Sequence, residues 1–466
     1  MYDPSSDSED YNQHQSQLPL NPGLGLAQHP WVQALRSALS ESAFVTCGTV
    51  DVPQDGLFIF YSNNGRAGRL DVVNSSRHSE ALDDLEKACD PATFGVDQRD
   101  VLDVSYRKSG KLDRDHFSLN VDIESIGLLE AVRIGLLSSN DEKKPIRADL
   151  YKLNVYGKDS FFKPHKDTPR GDTMFGSLVL VLPSAHEGGS LVLRHDNREY
   201  AFDATQHLSF LPHATPRIAY VAFFSDVEHE VKPVVSGHRI TITYNLHFVD
   251  EGHVESRFLN GLDVIHPRGA NRPEVEALLN PLLNDPSFLP EGGTLGFGLR
   301  HLYPLPTTFH PQVDDTLEFL KQRLKGADEA LFRACTARCL VPVLYTIFED
   351  TEGNSRALVA CPRVAKISTH DQDHDEEVWK ILCRHFDGLL INPSQTIVDS
   401  LASSGDGPIA SRCHVNWITP LSQANRVKTR FAAYGNEPMM GYLYQRICML
   451  VSVGPPGRRY EVGNLS

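Results

Sequence analysis

No run of about 18 or more consecutive apolar residues occurs anywhere in the 466-residue chain, so no membrane-spanning helix is expected. The opening stretch MYDPSSDSEDYNQHQSQLPL lacks a basic start followed by an apolar core, so no secretory leader is expected either. Cysteine is sparse. Cys47, Cys89, Cys335, Cys339, Cys361, Cys383, Cys413 and Cys448 are scattered along the chain, a pattern of reduced thiols in the cytosol or nucleus. Cys335 and Cys339 stand one helical turn apart in DEALFRACTARCL. With no second pair nearby in sequence, they read as core packing rather than a metal clip. Positive charge is in deficit: 45 basic residues against 60 acidic ones leave a net charge of −15. Such a surface repels a phosphate backbone and disfavours general nucleic-acid binding, although a local basic groove would not show in the sum.

What is present is apolar mass. Hydrophobic residues make up 41% of the chain, enough for a large core and for two or three domains. Residues 1–30, rich in Ser, Gln, Asn, Pro and Asp, read as a flexible tail. Helical spacing follows in WVQALRSALS, in RHSEALDDLEKACD and in SIGLLEAVRIGLLSS, while GTVDVPQDGLFIFYS reads as two short strands about a turn.

From Ala148 the texture changes. ADLYKLNVYG, FGSLVLVL, GGSLVLRHD, REYAFD, HLSFLP, AYVAFFSDV, HEVKPVV and HRITITYNLHF follow one another with mostly turn residues between them. About eight strands without an intervening helical pattern predict a sandwich or jelly roll, with the earlier helices covering one outer face. Beyond about residue 255, helical and strand-like runs mix, which predicts a separate α+β region reaching residue 466. Its internal GGTLGFGLRHLYP is glycine-rich but lacks the Lys-Ser/Thr of a phosphate loop, so its glycines serve turns or close packing.

One constellation carries chemistry. In FFKPHKDTPRGD, His165 and Asp167 are two apart, and on an extended strand such residues share a face about 6.5–7 Å apart. An imidazole and a carboxylate on one ion suit a divalent metal of intermediate softness, and His229 in SDVEHEVKPVV is the candidate third ligand. Two His and one carboxylate on one face of an octahedron leave three positions open, the facial triad of non-haem Fe(II) oxygenases. Ten residues on, Arg239 in GHRITITYNL sits on a strand with a buried face. A buried guanidinium needs a carboxylate, from the protein or from a co-substrate. Thr241 shares its face, and Tyr156 could add a hydroxyl from a neighbouring strand; either could equally be ordinary packing. His238 falls out of phase with Arg239. His195 and Asp196 are adjacent, so they face opposite sides of a hairpin whose turn the asparagine suits. His370, Asp371, Asp373, His374 and Asp375 read as a solvated acidic loop.

His165-x-Asp167, His229 and then Arg239-x-Thr241 resemble the iron(II)- and 2-oxoglutarate-dependent dioxygenases. The flanking LNVYGKDSFFKPHKD and SDVEHEVKPVVSGHRITITYNL are most similar to the prolyl 4-hydroxylase-like branch. The resemblance covers about residues 148–248, reaches weakly back to about Ala43 and hardly passes Val249. It implies a double-stranded β-helix core within a dioxygenase domain of residues 31–250. It further implies Fe(II) on His165, Asp167 and His229, with 2-oxoglutarate held by Arg239, together with Thr241 and Tyr156 where those matches hold. O2 would be the oxidant, with ascorbate as a possible reductant. The implied reaction couples decarboxylation of 2-oxoglutarate to hydroxylation of a peptidyl residue, proline first. A small-molecule substrate, or a silent β-roll scaffold acting through its C-terminal region, are the rival readings. Because histidine binds metal when neutral, iron affinity is expected to weaken below about pH 6.

Overall fold

The computed structural model describes residues 24–52, 56–74, 79–96, 99–137, 145–168, 171, 173–208, 216–249, 262–265, 275–303, 316–350, 357–365, 367, 377–403, 411–422, 426–433 and 439–461. Two compact units emerge. One comprises residues 37–277 and 299–334. The other comprises 1–36, 278–298 and 335–466. Both are discontinuous, which differs from the single division expected near residues 250–255. Residues 299–334 belong to the first unit because His301 and Lys325 reach the buried carboxylate of Asp226.

The first unit is built on two largely antiparallel sheets. The larger has eight strands in the order Leu262–Ile265, Val45–Asp51, Arg217–Phe224, Met174–Val181, Arg239–Phe248, Ile146–Tyr156, Gly110–Asp113 and Asp90–Pro91. The smaller has five: Arg198–Phe202, Leu191–His195, Glu228–Val231, Phe161–His165 and Arg107–Lys108. The central members of the larger sheet, MFGSLVLV and RIAYVAFF, are apolar almost throughout, as strands covered on both faces must be. One cover is the helix Leu128–Leu136, whose Gly135 lies so near the first strand that a Cβ there would fall 2.2 Å from Thr46 Oγ1. Side chains bridge the two sheets: Cys47 Sγ meets Tyr200 Oη at 3.2 Å, and Arg107 donates to Asn154 Oδ1 at 2.7 Å.

Most of the strands expected from Ala148 onward form. Three local expectations change. GTVDVPQDGLFIFYS is no hairpin: Val45–Asp51 enters the eight-stranded sheet and Phe58–Asn63 a separate three-stranded one. HLSFLP begins after a 3-10 turn, Ala204–Gln206, and its last four residues lie outside the described ones. DDTLEFLKQRLKGADEALFRACTARCL is two helices, Thr316–Lys321 and Gly326–Ala337, broken where Gly326 takes φ +55°. Cys335 is buried in the second, whereas Cys339 lies past its end and is exposed, so the two do not share a helix face. Residues 1–23 of the expected tail lie outside the described residues, and Leu24–Ala27 forms a short helix.

The second unit has its own mixed sheet. Ser411–Cys413, Leu389–Ile391, Ala357–Cys361, Pro342–Asp350, Met439–Val453, Gly293–Gly298 and Val415–Thr419 pair in that order, and Arg426–Ala433 adds to Met439–Val453. The glycines of GGTLGFG permit close approach, since a Cβ on Gly298 would fall 2.0 Å from Pro420 O. The loop with His370 to Asp375 lies outside the described residues.

Candidate metal centre

The strand Phe161–His165 pairs with Glu228–Val231 so that His165 stands directly opposite His229. Between Phe162 and His165 the register slips by one residue. Pro164, which has no N–H for the ladder, sits in that bulge. The bulge turns His165 toward His229, with ring centroids 4.2 Å apart. The strand ends at His165, so Asp167 lies two residues past it rather than within it, as its spacing had suggested. The ligand atoms of His165, Asp167 and His229 nevertheless lie within 4.8 Å of one another, and His229 Nε2 is 3.8 Å from Asp167 Oδ1.

Hydrogen bonds orient all three. His165 Nδ1 bonds the carbonyl of Lys163 at 2.8 Å, and His229 Nδ1 bonds that of Val227 at 3.0 Å. A carbonyl only accepts, so both Nδ1 atoms carry the proton and both Nε2 atoms keep a lone pair for a metal. Ser177 donates to Asp167 Oδ2, leaving Oδ1 beside His229. Phe162 stacks on His165 at 3.5 Å and Phe223 lies 4.6 Å from His229, forming an apolar wall. Two neutral nitrogens and one oxygen, oriented from behind, fit a divalent iron-type ion.

Arg239 lies deeper. It begins the strand Arg239–Phe248, is 2% exposed, and stands opposite Tyr156, whose ring centroid is 5.5 Å from the guanidinium carbon. Among the described residues no carboxylate comes within ion-pair distance of it, and its Nε has no hydrogen-bond partner. Burial lowers its pKa, opposed by Tyr156 and Asp203. Gly189, at φ +70°, makes room for it: a Cβ there would fall 2.8 Å from Arg239 Cδ. Thr241, also buried, pairs with Asn154 and shares Arg239's face of the strand. Among the described residues this is a buried cation without an ion-paired acid, the state that a carboxylate-bearing ligand would complete.

Burial, and secondarily the charge of His229, push the pKa of His165 down to about 3. Protonation of that ring is therefore not what would loosen a metal near pH 6. Burial and His301 similarly lower His195 to about 4, and burial lowers His186. These folded values lie below the ordinary 6.5. As pH falls from about 6.5 toward 4, the unfolded chain takes up protons that the folded one refuses, and stability declines. The urea midpoint of the metal-free protein is expected to be lower at pH 5 than at pH 7; equal midpoints would contradict this.

Sequence reasoning missed one group. His195, set aside as half of an adjacent pair in a hairpin, gathers with Asp226 and His301. The hairpin itself is as expected, with Asp196 and Asn197 both at positive φ. His301 is 75 residues from Asp226, so no local pattern could join them.

Residues 151–247 match the sequence family described as the 2OG-Fe(II) oxygenase superfamily. This segment thus matches a 2OG-Fe(II) oxygenase domain, one of the dioxygenase and hydroxylase type. Its family uses Fe(II), 2-oxoglutarate and O2. Among solved structures, a Pseudomonas putida prolyl-4-hydroxylase is 19% identical; the match covers 47% of this chain and 100% of that one, with a TM-score of 0.28. A Burkholderia pseudomallei oxidoreductase of the 2OG-Fe(II) oxygenase family is 17% identical over 49% and 93%, with a TM-score of 0.21. A Trichoplax adhaerens prolyl hydroxylase, solved with a hypoxia inducible factor peptide fragment, is 15% identical over 49% and 96%, with a TM-score of 0.25. No curated protein matches the chain.

Proposed function

We propose that this chain hydroxylates a peptidyl residue, proline being the first candidate, from a double-stranded β-helix made of its two facing sheets. Nε2 of His165, Nε2 of His229 and the carboxylate of Asp167 hold Fe(II). Arg239 receives the far carboxylate of 2-oxoglutarate, with Thr241 and Tyr156 lining the same pocket. When bound, iron and 2-oxoglutarate supply the oxidising chemistry: one O2 and one 2-oxoglutarate give succinate, carbon dioxide and one hydroxylated C–H bond. The chain's own part is positional. The backbone carbonyls of Lys163 and Val227 fix the imidazole tautomers, Ser177 orients Asp167, and Phe162 and Phe223 keep water from the reacting face.

The observation carrying this reading is the convergence of three ligand atoms within 4.8 Å in the same unit as a buried guanidinium that, among the described residues, has no ion-paired acid. A peptide substrate is favoured by the hairpin Phe94–Val96 and Arg99–Val101. Phe94 stacks on Tyr106 at 4.4 Å, and Tyr106 bonds the carbonyl of Pro164 in the ligand strand at 2.6 Å. Just past this hairpin Leu102 and Val104 are 56% and 66% exposed, apolar side chains that an extended peptide could meet. Purified protein with Fe(II), ascorbate and 2-oxoglutarate is expected to release succinate, and a peptide library to yield a product heavier by about 16 Da, the mass of the one oxygen atom transferred. Neither succinate release nor 2-oxoglutarate binding would leave the scaffold reading; a product only among small metabolites would move the substrate class.

A further inference from the structure

Beyond the matched family segment, residues 299–303 and 316–334 reach the turn that precedes the His229 strand. Asp226 lies in that turn, closed by Val227 N–H donating to Phe224 O at 3.0 Å. Its side chain is 2% exposed. Oδ1 accepts from Lys325 Nζ at 2.9 Å; Oδ2 accepts from His301 Nδ1 at 3.1 Å and from the Leu302 N–H at 3.3 Å. Lys325, equally buried, also donates to Phe175 O at 3.4 Å, so one ammonium ties the turn to the strand Met174–Val181. Asp328 in turn accepts the N–H groups of Arg300 and His301 and the Tyr303 hydroxyl, which receives the Lys325 N–H. Gly326 is required here, since a Cβ would fall 2.5 Å from His301 Nε2. The His195–Asp226–His301 grouping has the look of a second cation site, but the Lys325 ammonium already occupies Asp226 and would repel another cation.

The residue after Asp226 is Val227, whose carbonyl takes the Nδ1 proton of His229. We propose that residues 299–303 and 316–334 are a positioning element for the metal centre: Lys325, by pinning Asp226, fixes the Val227 carbonyl and with it the tautomer and ring plane of His229. This rests on the metal-centre reading above and adds residues that the family segment does not contain. A buried ion pair is worth little as a stabiliser compared with apolar packing, whereas fixing one backbone carbonyl against a ligand is a task that a rigid, fully bonded carboxylate suits.

Linkage supplies a test on the unmodified protein. If the clamp favours metal binding, the metal must favour the clamp. Co(II), the probe ion, is expected to slow amide hydrogen exchange at His301, Leu302 and residues 325–328; unchanged exchange there overturns the inference. Lys325→Met is expected to weaken Co(II) binding at least about 10-fold, as loss of outer support for a ligand does. It is also expected to show mixed tautomers at His229 by nitrogen NMR, with Lys325→Arg restoring part of both. A folded Lys325→Met protein with unaltered Co(II) affinity and a pure Nδ1–H tautomer would equally overturn it. If Lys325→Met does not fold, the exchange measurement on the unmodified protein decides alone. Asp167→Ala separates the two levels: loss of Co(II) binding there with no response to Lys325→Met removes only the clamp, whereas unchanged binding in Asp167→Ala removes the metal centre itself.

Discussion

Asp167→Ala is expected to abolish iron-dependent succinate release while leaving the fold intact. Asp167 is half-exposed and lies past the end of its strand, so its loss opens no core cavity and breaks no ladder bond. Only Ser177 loses a partner within hydrogen-bond reach. The two imidazoles that remain are neutral, and without the carboxylate nothing in the ligand set offsets the metal's charge. Removing an outer partner of a ligand costs about 10–100-fold in affinity, so removing a charged ligand costs more. Iron affinity should fall beyond about 100-fold, and turnover with it, while the circular dichroism spectrum and melting temperature stay near wild type. A variant that keeps its iron and its rate would take the carboxylate out of the site.

Arg239→Met should split two properties that usually move together. For the co-substrate, it removes one side of a buried charged contact, a change worth about 2–5 kcal/mol, or roughly 30-fold to several thousand-fold in the 2-oxoglutarate KM. Iron affinity should change little, because His165 and His229 lie on other strands and Asp167 just past one of them. For the empty protein, the sign reverses. The guanidinium is buried, its pKa is lowered by desolvation, and among the described residues it has no carboxylate partner. A thioether of similar length avoids that desolvation, so the ligand-free variant should melt at or above the wild-type temperature. Titrating 2-oxoglutarate against melting temperature shows both effects at once, since ligand raises stability only where it binds. An equal loss of iron and 2-oxoglutarate affinity, or a sharp fall in ligand-free stability, would mean that Arg239 is a structural residue.

The pattern of local residues told most where the physics is local. Alternating and apolar runs from Ala148 to Phe248 gave the strands that form, because side-chain period and turn chemistry act over a few residues. Helix breaks were less legible. The second helix begins at Gly326, five residues after the first ends, where His301, distant in sequence, leaves no room for a Cβ. The same holds for the domain division: no composition change marks residues 299–334 as partners of a turn at Asp226.

The chain's order of residues by itself supplied the candidates: His165, Asp167, His229 and Arg239 are of the chemical types that suit a divalent ion and a carboxylate, all but Asp167 on strands. What only the tertiary structure decided is how they meet. The bulge at Pro164 aims one imidazole across at the other. Among the described residues, Arg239 is left without a carboxylate in ion-pair reach. Lys325, 99 residues from Asp226, locks the turn before His229. Each of these depends on contacts between segments far apart along the chain, and periodicity carries no information about them.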